Sequence, residues 1–272
     1  MALNLGLSRL APQAIMTVRR LLRRAGYDVV RYHHTVHPVA RMLRLFEQYH
    51  VRQLFDVGAN VGQFGAFMRK SGYLGKLVSF EPLSAAFAHL QRQAAGDPDW
   101  TVVHMGLGDF SGEAAINIAG NSESSSFLNM LPRHTEVMPS SGYVGKETVP
   151  IRTLDEVVEQ YTDPSQPLFV KLDTQGFEKK IVQGGRRSLA RICGFKLEVS
   201  VDPLYEGEAL LPEMVEFMAD HGYQLMGVEP GWSNEATGQM LQLEGVFFRP
   251  VLTLRERKEA GWFPGPPSSR SP

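Results

Sequence analysis

Four acidic residues lie at or near the ends of predicted strands, where their side chains can take part in binding or proton transfer. Asp56 and Glu81 end the first two strands, and Asp173 and Glu198 end two later ones. A carboxylate accepts hydrogen bonds from hydroxyl and amino groups, and one held beside a reacting oxygen can remove its proton. These acids are therefore the first candidates for a functional site.

A glycine-containing turn follows the first of these strands, from Gly58 to Gly62, with the sequence GANVG. Glycines let the backbone approach a ligand closely, and the helix that follows offers free N–H groups. Asn60 stands where the dinucleotide fingerprint G-x-G-x-x-G has its second glycine, and no Gly-Lys-Ser/Thr of a phosphate-binding loop follows. The turn therefore favours a ligand that lacks a pyrophosphate.

The two acids nearest to this turn narrow the choice of ligand. Glu81 closes the second strand and can accept both ribose hydroxyls of an adenosine, while Asp56 can hold an amino-bearing or cationic tail. S-adenosylmethionine (SAM) has both features and carries no phosphate. The alternative is an ordinary strand, turn and helix that hold no ligand.

Strand and helix patterns alternate from residue 51 onward, which indicates an α/β fold with a mostly parallel sheet covered on both faces. Strands are predicted at 51–57, 76–81, 101–106, 113–119, 168–173, 195–200, 223–228 and 243–248. Residues 149–158 read as a strand that leads into a helix, with Thr153 and Glu156 forming a capping box. Residues 120–147 are too long for a plain connection and are predicted to be a functional loop or lid.

Three regions follow from these patterns: an N-terminal helical extension at 1–50, one domain at 51–250, and a partly disordered C-terminal tail at 251–272. The extension is strongly basic, since residues 1–44 contain eight arginines and one acid, Asp28, for a local charge of +7. This segment either lies on a membrane surface or another anionic partner, or it is a solvated helix that packs on the domain or on a sister subunit.

The composition argues against nucleic acid binding, against an internal disulfide and against a membrane-spanning segment. The net charge of −1 over 272 residues gives no general reason to expect nucleic acid binding. Cys193 is the single cysteine and lies in an apolar run, so it is predicted to be a buried thiol in a reducing compartment. No apolar run is long enough to span a bilayer, and arginines interrupt the short apolar stretches near the start. A cytoplasmic protein is expected, with the inner face of the membrane as an alternative.

Several motifs, taken in order, resemble the FkbM family of SAM-dependent methyltransferases. These are DVGANVGQ from Asp56, SFEP from Ser79, GLGD from Gly106, TLD from Thr153, KLDTQGFE from Lys171 and LE at Leu197. The resemblance covers about residues 50–250. It departs at Gln175, where the family often has glutamate, so a carboxylate role at that position is in doubt.

The resemblance implies a Rossmann-like class I methyltransferase with a seven-stranded sheet and an antiparallel last strand. It also implies methyl transfer to oxygen. Ten residues of this chain are predicted to bind the cofactor: near the methionine part Asp56, Gly58, Ala59, Asn60 and Gly62; at the ribose Glu81 and Pro82; and at the adenine Leu107, Gly108 and Asp109.

Methyl transfer to a hydroxyl needs an aligned acceptor and removal of its proton. Asp173 is predicted to be the base or a metal ligand, because it ends the strand placed beside the first one; the alternative is a loop-ordering acid. Glu198 is expected to share the site, and Mg²⁺ held by Asp173, Glu198 and Asp202 is one further hypothesis. His134, in the long loop, is another candidate base, although a loop histidine is more often simply exposed.

The expected activity is O-methylation of a hydroxyl on a sugar (oligosaccharide, polysaccharide or glycolipid) or on a related natural product. Two alternatives remain open: a methyltransferase that acts on RNA or protein, and a SAM-binding domain that has lost catalysis. The expected partner is a small-molecule or glycan acceptor, with no nucleic acid. The basic extension also suggests a peripheral membrane contact and a homodimer.

Overall fold

The structure, a computed structural model, describes residues 12–250, with side chains from residue 15 onward. The chain divides into two compact units, one ending at Gln48 and the other beginning at Tyr49. The first unit contains helices α1 (Pro12–Arg24) and α2 (Pro38–Gln48). None of the described helices is long and apolar enough to cross a bilayer. The predicted tail at 251–272 lies outside the described residues.

The second unit is built on a seven-stranded sheet with the order β3-β2-β1-β7-β8-β10-β9. The strands are β1 (Gln53–Val57), β2 (Lys76–Phe80), β3 (Trp100–Val103), β7 (Leu168–Leu172), β8 (Ile192–Ser200), β9 (Gln224–Pro230) and β10 (Gln242–Phe248). All neighbouring strands are parallel except β10, which is antiparallel to both β8 and β9. This arrangement confirms the predicted Rossmann-like α/β fold with an antiparallel last strand.

Every residue of β1 and β7 is buried. Successive side chains of a strand point to opposite faces, so both faces of the sheet are covered at its centre. Because β1 pairs with β2 on one side and with β7 on the other, the strand order reverses between β1 and β7. Ligands of open α/β sheets bind at such a switch point, beyond the carboxyl ends of the strands.

A second, three-stranded sheet has the order β4-β6-β5, with β4 (Gly106–Gly108), β5 (Gly112–Ala119) and β6 (Tyr143–Thr153). It corrects two predictions. The expected strand at 101–106 ends at Val103, and Gly106 begins a strand of this other sheet. The strand expected from residue 149 already begins at Tyr143, because residues 143–149 pair with β5, a long-range contact that local sequence does not reveal.

The remaining helices are α3 (Gln63–Lys70), α4 (Ser84–Ala94), α5 (Pro132–Val137), α6 (Leu154–Tyr161), α7 (Glu178–Gln183) and α8 (Leu211–Asp220). The capping box is confirmed: Thr153 accepts from the Glu156 N–H, and Glu156 accepts from the Thr153 N–H. Residues 120–147, expected to be a loop, contain α5, a 3-10 turn at Pro139–Ser141 and the start of β6. Cys193 is buried, as predicted.

Candidate active site

The glycine turn lies against the end of β7. Gly58 has a φ of 72°, and a Cβ atom there would lie 1.9 Å from the carbonyl oxygen of Asp173. Only glycine fits both the left-handed backbone and this close approach. The sequence pattern GANVG therefore brings the turn and Asp173 together at the switch point.

A cavity of about 410 Å³ opens above this turn. Six of the ten predicted cofactor residues line it: Gly58, Ala59, Asn60, Glu81, Pro82 and Leu107. Asp173 and Glu198 line the same cavity, so the structure brings both predicted catalytic acids to the predicted cofactor site. The other lining residues that matter here are Lys171, Gln175 and Glu244, together with several residues of the segment 122–127.

Four predicted cofactor residues do not line the cavity. Asp56 is fully buried, with Lys171 Nζ 3.4 Å from its Oδ1 and Ser79 Oγ donating to its Oδ2. Gly62 has a φ of 92° and lies against Leu90, so it serves the turn and its packing. Gly108 is in β4 of the second sheet. Asp109 forms an ion pair with Lys180.

Glu81 lines the cavity, and its carboxylate is held by the backbone. Its Oε2 accepts the Asn60 N–H at 2.7 Å, and its Oε1 accepts the Leu83 N–H at 2.8 Å. Burial raises the pKa of Glu81 to about 7, although these two hydrogen bonds favour the ionised form. The side chain is therefore fixed at the cavity wall and changes charge near neutral pH.

Asp173 and Glu198 form a carboxyl pair across neighbouring strands. The parallel register sets Leu172 opposite Leu197, which places the next residues, Asp173 and Glu198, side by side. The Lys171 ammonium lies 3.1 Å from Asp173 Oδ2. The side chain of Asp173 is 31% exposed, so this carboxylate is accessible to a ligand.

The surroundings shift the pKa values of the two acids in opposite directions. Burial raises the pKa of Glu198 well above its ordinary value, and the nearby charge of Asp173 raises it further. Burial also opposes ionisation of Asp173, but the charge of Lys171 and several hydrogen bonds hold the pKa of this residue below its ordinary value. Glu198 is therefore the acid of the pair that more readily holds a proton, and Asp173 is the one that more readily ionises.

Gln175 holds this pair together. Its Nε2 donates to Asp173 Oδ1 at 3.1 Å and also to Glu198 Oε2. Its Oε1 accepts from the Tyr205 hydroxyl at 2.7 Å, which fixes the amide with its N–H groups toward the two acids. Gln175 has a φ of 54°, a conformation that non-glycine residues rarely adopt. Sequence reasoning noted Gln175 only as a departure from the family motif.

His134 lies behind Tyr205 rather than in the cavity. It is 1% exposed, and its Nε2 lies 3.1 Å from the Tyr205 hydroxyl while its Nδ1 lies 2.8 Å from Ser141 Oγ. Burial lowers the pKa of His134. The structure therefore does not place His134 as a base over an acceptor, because Tyr205 stands between the ring and the cavity residue Gln175.

The hypothesis of a metal site does not fit the side chains. Asp202 is not part of the cavity; it forms an ion pair with Arg133 at 2.9 Å and accepts from Gln239. The oxygens of the carboxyl pair already accept from Lys171, Gln175 and Gln242. Within residues 12–250, no cluster of three or more histidine, cysteine or acidic side chains is arranged to hold a metal ion.

Two further features of the cavity were missed in the sequence. Glu244 on β10 lies opposite Glu198 and adds a third acid to the row. Ser122 accepts from the Asn60 side chain, and Ser125, Ser126 and Phe127 line the cavity. The polar run at residues 121–126 lies in the segment predicted to be a functional loop or lid, but its contribution to this cavity wall was not predicted.

A family model described as the methyltransferase FkbM domain matches residues 56–225, which is more than half of the chain. The chain belongs to the FkbM methyltransferase family. This assignment confirms the predicted family and makes the chain a methyltransferase, and the methyltransferase fold implies SAM as the methyl donor. A comparison with curated proteins finds no match.

Solved structures with a similar fold include several methyltransferases. An rRNA methylase from Streptococcus thermophilus is 9% identical, with a TM-score of 0.44, over 82% of this chain and 99% of that one. A precorrin-6y C5,15-methyltransferase from Geobacter metallireducens is 12% identical, with a TM-score of 0.40, over 77% and 87%. A TehB-like SAM-dependent methyltransferase from Corynebacterium glutamicum is 12% identical, with a TM-score of 0.36, over 88% and 100%. At this distance the substrates of these proteins carry no information about the acceptor of this chain.

Proposed function

We propose that this FkbM methyltransferase transfers the methyl group of SAM to a hydroxyl oxygen of a sugar, as part of an oligosaccharide, polysaccharide or glycolipid, or of a related natural product. The observation that carries the proposal is the Asp173–Glu198 pair, which lines the same cavity as the glycine turn and Glu81. A hydroxyl acceptor needs a group that takes its proton, and Asp173 offers an accessible carboxylate at that place.

SAM, when bound, supplies a methyl group on a positively charged sulfur. Asp173 accepts a hydrogen bond from the acceptor hydroxyl and orients its oxygen. A carboxylate with a lowered pKa is a weak base, so Asp173 takes the proton late, when the oxygen has become acidic by gaining the methyl group. We assign the proton of the pair to Glu198, because burial raises its pKa, so that Asp173 is the ionised member before the transfer.

The cofactor side of the cavity fits an adenosine. Glu81 presents a buried carboxylate that can accept ribose hydroxyls, and Leu107 and Phe127 are apolar neighbours that can flank an adenine ring. The small residues Gly58 and Ala59 leave room for the methionine part next to Asp173. These residues are the proposed SAM contacts.

The test is methyl incorporation from labelled SAM into fractionated cell glycans, glycolipids, RNA and protein, with and without EDTA. We expect label in a glycan or glycolipid fraction. Asp173→Asn is expected to reduce incorporation by about 10²- to 10⁴-fold while retaining SAM binding, and Asp202→Asn, which removes an acid outside the cavity, is the matched control.

Each other outcome contradicts part of the proposal. Label confined to RNA or protein would refute the sugar acceptor. SAM binding without incorporation into any fraction would favour a domain that has lost catalysis. Wild-type incorporation by Asp173→Asn would remove this carboxylate from the chemistry, and a loss of incorporation in EDTA would contradict the metal-free arrangement of the pair.

A further inference from the structure

The first unit exposes an unusual concentration of large apolar side chains. Among the described residues, seventeen such side chains are exposed, and nine of them lie within residues 15–36. Isolated exposed apolar residues are ordinary, but a dense group of them marks an interaction surface. This group lies far along the sequence from the cavity residues and takes no part in the proposed methyl transfer.

Helix α1 places its branched aliphatic side chains on a different side from its arginines. Ile15, Val18 and Leu22 are three and four residues apart and share one face, with Leu21 beside them. The arginines fall on the other side of the helix and form two pairs four residues apart, Arg19 with Arg23 and Arg20 with Arg24, and the exposed Met16 lies among them. On the aliphatic side Ile15, Val18 and Leu21 are 41%, 49% and 59% exposed, and Leu22 is half-buried.

The chain after α1 is tied back to the helix. The Asp28 carboxylate accepts hydrogen bonds from both Arg19 and Arg23 at 2.8–3.1 Å. This contact and the hydrogen bond from the Tyr27 N–H to the Leu22 carbonyl oxygen hold Asp28 and Tyr27 beside the helix, and Tyr27 and Val29 are both exposed. Within the described part of the chain, Arg20 and Arg24 have no acidic partner. The surface therefore combines open aliphatic groups with unneutralised positive charge.

We propose that residues 15–32, called here the basic apolar surface, bind the interface of an anionic lipid bilayer. A helix with an aliphatic face, an arginine-rich face and a low net hydrophobicity is the kind that lies in the plane of the membrane surface. The aliphatic side chains enter the apolar boundary, and Arg20 and Arg24 meet the lipid phosphates.

Two other occupants fit these side chains less well. A second copy of this chain would set one arginine-rich surface against another, and like charges repel. A single-stranded nucleic acid would satisfy the arginines, and its bases could stack on the exposed Tyr27 and Tyr32, but it would gain little from the aliphatic Ile15, Val18 and Leu21. An anionic bilayer satisfies the aliphatic and the basic groups together.

The test is flotation of the full chain with phosphatidylcholine vesicles, with and without one quarter phosphatidylglycerol. We expect binding to the anionic vesicles, weakened by salt, and little binding to the neutral ones. Arg20→Gln and Arg24→Gln are each expected to reduce the partition coefficient about fivefold. Leu21→Asp is expected to reduce it further, because it puts a charge in the apolar face.

The matched controls lie in the second unit. Leu74→Asp replaces an apolar side chain that is 86% exposed, and Arg186→Gln removes an exposed arginine; neither is expected to change vesicle binding. The arginine variants keep the test meaningful if Leu21→Asp disturbs α1, which circular dichroism would show.

Three results would overturn the proposal. One is equal binding to neutral and anionic vesicles, or none to either. Another is a concentration-dependent dimer in sedimentation that Leu21→Asp dissolves, without vesicle binding. The third is displacement of the chain from anionic vesicles by poly(U) at an equal concentration of phosphate. None of these measurements depends on the acceptor, so the proposed methyl transfer stands or falls separately.

Discussion

Replacing Gln175 with glutamate tests whether this amide holds the carboxyl pair together. In the wild type, Gln175 donates to Asp173 and Glu198, and Tyr205 donates to Gln175. Gln175→Glu keeps the shape and the Tyr205 contact, but it removes both N–H donors. It also places a third carboxyl group about 3 Å from Asp173, at the 3.1 Å distance of the present amide contact.

The expected change in the free energy of unfolding of Gln175→Glu follows from the lost hydrogen bonds and from one added proton. A hydrogen bond to a charged group contributes about 1.5–3 kcal/mol to the free energy of unfolding, so we expect Gln175→Glu to lower it by at least that amount at pH 8. Buried beside Asp173, the new carboxyl group will have a folded-state pKa raised above its unfolded value of about 4.3.

The sign of the pH dependence follows from this raised pKa. Between the unfolded and the folded pKa, the native variant binds a proton that the unfolded chain does not. The free energy of unfolding of Gln175→Glu, relative to the wild type, should therefore fall as the pH rises from about 5, by up to about 1.4 kcal/mol per pH unit.

The assay is urea unfolding, followed by circular dichroism at several pH values from 5 to 8. Gln91→Glu, which adds the same charge at an exposed position of α4, is the control and should show no such slope. If the free energies of Gln175→Glu and the wild type differ by a constant amount over this pH range, the inferred role of Gln175 is refuted.

Three further predictions follow from the geometry of the cavity and the core. Gly58→Ala should abolish SAM binding, because its Cβ would lie 1.9 Å from the Asp173 carbonyl oxygen. The control is Gly96→Ala, at a glycine with a similar φ of 90° and open space around it, which should cost only about 1–2 kcal/mol of unfolding free energy. Equal behaviour of the two variants would contradict the close approach at Gly58. Burial raises the pKa of Glu81 to about 7, and the ionised carboxylate accepts ribose hydroxyls better than the acid. SAM affinity measured by calorimetry should therefore rise about tenfold from pH 6 to well above 7. An affinity independent of pH would contradict the contact between Glu81 and the ribose. Burial raises the pKa of the Cys193 thiol to about 12, so iodoacetamide should label it at pH 8 only after unfolding in urea, and rapid labelling of the native chain would show that the thiol is accessible.

The strand pattern and the first glycine turn could be predicted from the sequence because both depend on neighbouring residues. Alternation of strands and helices gave the α/β fold, and the glycines and Asn60 argued against a pyrophosphate ligand. Asp173 could be placed beside the first strand because the sheet order of such folds is strongly restricted. The capping box at Thr153 was likewise a local pattern of two side chains.

The partners of buried polar side chains could not be predicted in the same way. His134 and Asp202 have residue types that suit catalysis and metal binding, yet the fold turns His134 toward Tyr205 and Asp202 toward Arg133. Asp56 lies at the end of the strand that leads into the glycine turn, as predicted, but it forms an ion pair with Lys171 beneath the cavity. In the sequence, Gln175 appeared only as the loss of a carboxylate. In the structure its amide donates hydrogen bonds to two carboxyl groups, those of Asp173 and Glu198.

The sequence by itself determined the family, the class of fold and the glycine turn, since each is written in short motifs whose geometry neighbouring residues impose. Only the tertiary structure decided which acids face the cavity, which of them has the raised pKa and which residue holds them together. Those properties depend on strand register, side-chain direction and burial, which arise when distant segments pack: Glu198 is next to Asp173 because β8 lies beside β7.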